Sequence, residues 1–117
     1  MRRTLLVCLS LVFLSSVVLA DDVIKREFEI SKGKSLILET EIGGDIYIKG
    51  SGDNKIEFKA EVYRIDDDDF DIDFDLASSG LTIDVEKKGS WWKRKSGEMD
   101  FTIIVPDEFN VEVKTAG

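Results

Sequence analysis

The feature that most constrains this chain is a period-two alternation of apolar and polar residues that runs nearly from end to end. One face collects Ile24, Phe28 and Ile30, with Arg26 interrupting, then Leu36, Leu38, Thr40 and Ile42, then Ile46 and Ile48. It continues through Ile56, Phe58, Ala60 and Val62, then Phe70, Ile72, Phe74 and Leu76, then Leu81, Ile83 and Val85. Phe101, Ile103 and Val105 follow, and Phe109, Val111 and Val113 come last. Successive side chains of a strand point to opposite faces, so this pattern describes half-buried strands. No segment carries the i, i+3, i+4, i+7 stripe of an amphipathic helix. Turn residues fall between the runs: Gly43-Gly44-Asp45, Gly50-Ser51-Gly52-Asp53-Asn54, Ala77-Ser78-Ser79-Gly80 and Pro106-Asp107-Glu108. The expectation is an all-β domain, a sandwich or roll of about eight strands. Antiparallel pairs are expected to dominate, because a parallel pair needs a crossover of about a dozen residues or more.

The first twenty residues stand outside that pattern. Arg2 and Arg3 precede an apolar stretch, Leu5 to Leu19, and Val18 and Ala20 give the small-residue spacing of a signal-peptidase site. Residues 1–20 are therefore expected to be a signal peptide, and 21–117 a single exported domain, secreted or held in the periplasm or cell envelope, with no transmembrane segment after cleavage. The only cysteine, Cys8, lies in the leader. The mature chain must then be held by packing without disulfides. Subtracting the leader's two arginines leaves 14 basic residues against 24 acidic ones, a net charge of −10. So acidic a surface repels phosphate backbones and argues against nucleic-acid binding.

Three segments resemble the bacterial putative-adhesin family: LETEIGGDIYIKGSGDNKIEFKAEV (38–62), LTIDVEK (81–87) and FTIIVPDEFNVEVKTAG (101–117). The shared elements are a strand ending in a Gly-Asp turn, a glycine-bounded strand after it, and an I-x-V-P strand. The resemblance implies an exported β-rich domain of unassigned molecular function, in which later repeats build a β-solenoid. In that family a V-x-T-x-x-G element opens a new repeat, and Val113 to Gly117 matches its beginning. The chain is on this reading the opening part of a solenoid or a minimal version without one. An edge left without its stack invites association with other chains.

The sequence excludes much chemistry. It contains no histidine, and no cysteine after the leader, which removes Ser–His and Cys–His nucleophile pairs and ordinary zinc sites. Gly43-Gly44 and Gly50-Ser51-Gly52 are spaced as β-turns before strands and do not open a phosphate-binding helix. Same-face carboxylates at i and i+2 sit about 6.6 Å apart, but general acid–base work also needs a cleft that raises one pKa. An enzyme is not expected.

Two segments remain as candidate sites. DDDDFDIDFDL (66–76) alternates aspartates with core residues. If Ala77 to Gly80 form the hairpin loop, Asp75 faces Thr82, Asp73 faces Asp84 and Asp71 faces Glu86. Like charges directly across a sheet are destabilising, so something must neutralise this face. One answer is a cation: calcium takes six to eight oxygens, and Asp66, Asp67, Asp68, Asp69, Asp71 and Asp73 are the candidate ligands. The stretch matches neither a helical calcium loop nor the nonapeptide repeat of β-rolls. The other answer is local, from Lys87, Lys88, Lys93, Arg94 and Lys95 in the following loop. In that loop Trp91, Trp92, Lys93 and Arg94 form the second candidate site, suited to stacking on sugar rings or resting at an anionic interface. The alternative is that one tryptophan caps the core. The functional expectation is a non-catalytic, adhesin-like surface domain acting by binding or assembly. Its ligand would be a glycan, an envelope component or another copy of itself. A calcium-stabilised extracellular module using Asp66 to Asp75 is the alternative.

Overall fold

The structure, a computed structural model, describes residues 22–89 and 97–115. Eight strands account for about two-thirds of it: β1 (Asp22–Glu29), β2 (Ser35–Thr40), β3 (Ile46–Ser51), β4 (Lys55–Tyr63), β5 (Phe70–Ala77), β6 (Gly80–Lys87), β7 (Glu98–Pro106) and β8 (Asn110–Thr115). Each apolar run of the alternation becomes one strand. The strands divide into two four-stranded sheets, ordered β1-β4-β7-β3 and β5-β6-β2-β8. The domain is therefore all-β, and the described residues form neither a closed barrel nor a solenoid.

Strand polarity is more mixed than the short turns imply. β1–β4, β4–β7 and β5–β6 are antiparallel, whereas β2–β6, β2–β8 and β3–β7 are parallel. The antiparallel ladders are the longer ones. The parallel pairs arise because consecutive strands often lie in different sheets: the chain crosses from β2 to β3, and from β7 to β8. A strand returning to its original sheet after such a crossing can lie parallel to its neighbour without a helical crossover.

The inward residues of both sheets make one core. Leu36, Leu38, Ile56, Phe58, Ala60, Val62, Leu81, Ile83, Val85, Phe101, Ile103 and Val105 are all buried, joined by Ile42, Ile65, Phe70 and Met99. Phe74 of β5 meets Phe28 of β1 at 5.3 Å and Phe58 of β4 edge-on at 5.1 Å between ring centroids. β1 thus faces β5 at one end of the sandwich, and β3 and β8 are the other edge strands of their sheets. Thr40 is the one buried polar residue among those described. Its hydroxyl donates to the Ile42 carbonyl and accepts from the Ile42 amide, both at 3.1 Å. That closes the turn carrying the chain from one sheet to the other and leaves no buried hydroxyl unsatisfied.

Candidate interaction surfaces

The acidic hairpin has the register expected from its loop. Asp71 lies opposite Glu86, Asp73 opposite Asp84 and Asp75 opposite Thr82. Asp67–Asp69 form a single 3-10 turn ahead of β5. The Asp66 amide donates to Asp69 Oδ2 at 3.2 Å, and the Asp69 amide donates to the Asp66 carbonyl at 2.9 Å. The turn's backbone thus ties Asp66 to Asp69, while Asp71 and Asp73 stand further along the sheet. Among the described residues no group of three or more acidic side chains converges as a metal ion would require.

Part of the local neutralisation is visible. Lys88 Nζ lies 3.3 Å from Asp71 Oδ1, and the Lys88 amide donates to the Asp69 carbonyl. Both side chains of that pair are more than half exposed, so the contact contributes little stability by itself. The remaining repulsion collects on Glu86. Its carboxyl is held above the ordinary value of 4.5 by Asp84 first, then by partial desolvation, Glu41, Asp73 and Asp71.

This has a measurable consequence. A carboxyl whose folded pKa is raised binds protons more readily in the folded state than in the unfolded state. Its charge opposes folding at neutral pH, and the opposition fades as pH falls through the raised value towards 4.5. Glu86→Gln is therefore expected to be the more stable protein at pH 7, with the gap to wild type closing across that acid window. Added salt narrows the gap at neutral pH by screening. Urea melts of both proteins across pH 4 to 7 check this, and a gap that widens on acidification sinks the account.

Trp91, Trp92, Lys93 and Arg94, with Lys95, lie outside the described residues. β6, which precedes them in the chain, and β7, which follows, lie in different sheets. A depression of about 410 Å³ lies on the outer face of β1, β4 and β7 beside Lys25, Glu27, Glu57 and Lys59. Glu27 and Glu57 share Lys55, at 3.7 and 3.8 Å.

A surface that the sequence reading did not single out is β8. All six of its residues are exposed, although Val111 and Val113 point to the core side, in register with the buried Leu36 and Leu38. Alternation reveals which way a side chain points and carries no information on whether anything covers it.

The comparisons bear on the fold. No family model matches the sequence, and no curated protein matches it. The structure is similar to the crystal structure of a putative cell adhesion protein from Clostridium sporogenes ATCC 15579, with a TM-score of 0.52 and 11% sequence identity. The match covers 80% of this chain and 47% of that one, so the chain spans about half the length of that protein. At this identity the likeness is one of fold. Among the described residues no helix is long and apolar enough to cross a membrane.

Proposed function

We propose that the protein is an exported, non-catalytic surface or envelope domain, adhesin-like in kind, that acts by binding or assembly. The observation that carries this reading is how the sandwich uses its residues. Most of the inward residues are spent on one core, and what remains to act outward is sheet edges, an acidic face and a segment rich in tryptophan and lysine. Export is supported by the basic and apolar leader, Arg2 to Ala20. Likeness in fold to a protein described as a cell adhesion protein supports the adhesive role. Glu27 and Glu57 share one lysine and Glu39 and Glu112 another, on exposed outer faces, an arrangement suited to solubility rather than to acid–base catalysis.

Binding is assigned to the loop of Trp91, Trp92, Lys93 and Arg94. Paired aromatic rings beside cations stack on sugars or settle at anionic lipid headgroups. The double variant Trp91→Ala with Trp92→Ala is expected to lose retention on a glycan array or on phosphatidylglycerol vesicles at least tenfold, a loss of about 1.4 kcal/mol or more. Its melting temperature should move by no more than a few degrees. Unchanged binding to every surface that retains the wild type removes the loop from the function. Fractionation of cells expressing the full chain tests export separately: recovery in the cytoplasm with the leader uncut ends that part of the reading.

A further inference from the structure

We infer that β8 is a self-association edge, across which two copies of this chain pair antiparallel about Val113. This deepens the assembly half of the proposed function and rests on that reading. Three of the four edge strands carry features that discourage pairing. β1 turns Arg26 inward, in register between Ile24 and Phe28, with its guanidinium 5.8 Å from the Phe74 ring centre. β5 presents the row Asp71, Asp73 and Asp75, which repels its own copy. β3 is interrupted by Gly50, which weakens a strand interior. β8, reading NVEVKT, has no proline, no glycine and no inward charge. Its core-side row is instead Val111, Val113 and Thr115, with the two valines 41% and 40% exposed.

Backbone geometry and charge then select one register. The Asn110 amide donates to the carbonyl of Lys34, the residue just before β2. Strand backbone groups alternate in direction, so Asn110, Glu112 and Lys114 bond towards β2, while the amides and carbonyls of Val111, Val113 and Thr115 face the open edge. An antiparallel partner must therefore place odd-numbered residues opposite odd-numbered ones. Centring on Glu112 would set Glu112 against its own copy, and centring on Lys114 would oppose two lysines. Centring on Val113 sets the two Val113 residues against each other and Val111 against Thr115. It also brings each Glu112 opposite the other chain's Lys114. In one copy Lys114 already bonds Glu112 at 3.4 Å and Glu39 of β2 at 3.7 Å, so its ammonium lies on the outer face, leaning towards β2, and its flexible stem turns to the open edge to meet the second Glu112. The pairing joins two sheets into one of eight strands and covers the exposed valines.

Sedimentation velocity on the purified protein tests this with a charge exchange. Wild type is expected to sediment as a concentration-dependent dimer. Glu112→Lys and Lys114→Glu each turn both cross-strand attractions into repulsions, and each is expected to weaken the dimer roughly tenfold to a hundredfold. An equimolar mixture of the two variants restores the dimer, because lysine then faces glutamate at both crossings. The double exchange in one chain restores it too. Both positions are exposed, so circular dichroism should match wild type, and the like charges that Lys114→Glu sets beside Glu39 and Glu112 should lower its melting temperature by no more than a few degrees. A monomeric wild type at every concentration overturns the proposal and leaves the edge to some other polypeptide. Single variants that dimerise like wild type overturn it as well. The tryptophan double variant keeps Glu112 and Lys114 and is expected to dimerise normally, so ligand binding and self-association fail independently.

Discussion

Phe58→Ala is expected to destabilise the domain by about 3–5 kcal/mol. Phe58 is 2% exposed and lies where the two sheets meet. It stacks edge-on against Phe74 of the facing sheet at 5.1 Å and tilts against Phe101 of β7 at 5.9 Å. Truncation loses the transfer energy of the ring and opens a void that Phe74, held also by Phe28 at 5.3 Å, cannot collapse to fill. A domain of this size has only about 5–15 kcal/mol in total, and the sequence holds a single cysteine, so no internal disulfide compensates. The loss should therefore appear in urea as a large fall in midpoint at unchanged slope. Tyr47→Ala is the control: that ring is 58% exposed, and its removal should fall within about 0.5 kcal/mol of wild type. A loss under about 1 kcal/mol at Phe58 would mean that the facing sheets are not joined through this ring.

The residues most easily read from sequence were those whose position follows from local geometry. The register of the acidic hairpin is one. A short loop from Ala77 to Gly80 fixes which residues oppose each other, so the pairing of Asp73 with Asp84 follows from counting alone. Parallel pairing has no such local signal. Thr40 lies beside Val85 and also beside Thr115, partners 45 and 75 residues away in the chain, and alternation says nothing about which distant strand lies alongside.

The core shows the same division. Met99 is fully buried and sits in phase with Phe101, so extending that row back by two would have found it. Ile65 is buried too, but it follows Arg64, whose φ of 63° kinks the backbone and breaks the phase of the alternation. At the candidate surfaces, counting revealed which aspartates share a face, but not that no three described acidic side chains converge on one point. That depends on the flatness of the sheet, where same-face side chains stand parallel. Nor could it reveal the exposure of Val111 and Val113. Burial on a strand is set by the facing sheet, and β8 lies at the end of its own sheet.

Gly80→Ala is expected to cost about 3 kcal/mol or more, a penalty that no side chain at that place escapes. Gly80 has φ of +151°, a conformation L residues adopt only with strain of about 1–3 kcal/mol. A methyl there would also be driven into the Ser35 carbonyl oxygen and would lie 2.9 Å from the Ser35 nitrogen. Ser35 is the residue with which Gly80 opens the parallel ladder between β6 and β2. Its amide and hydroxyl both donate to the Ser79 carbonyl, at 3.1 and 3.2 Å. Relieving the clash means parting β6 from β2 at the middle of the second sheet, where each lost hydrogen bond adds about 1 kcal/mol. Gly44→Ala is expected to behave alike at the crossing between sheets, since Gly44 has φ of +150° and lies against the Met99 carbonyl, beside the bond from the Met99 amide to the Gly43 carbonyl at 3.0 Å. Gly52→Ala is the contrast, for a methyl there meets nothing within 4 Å, and its effect should stay within about 0.5 kcal/mol. If thermal melts rank the three variants together, the glycines serve only as loop residues. A large loss at Gly80 and Gly44 with none at Gly52 means that the backbones touch there, and that the sheet pairing depends on the missing side chain.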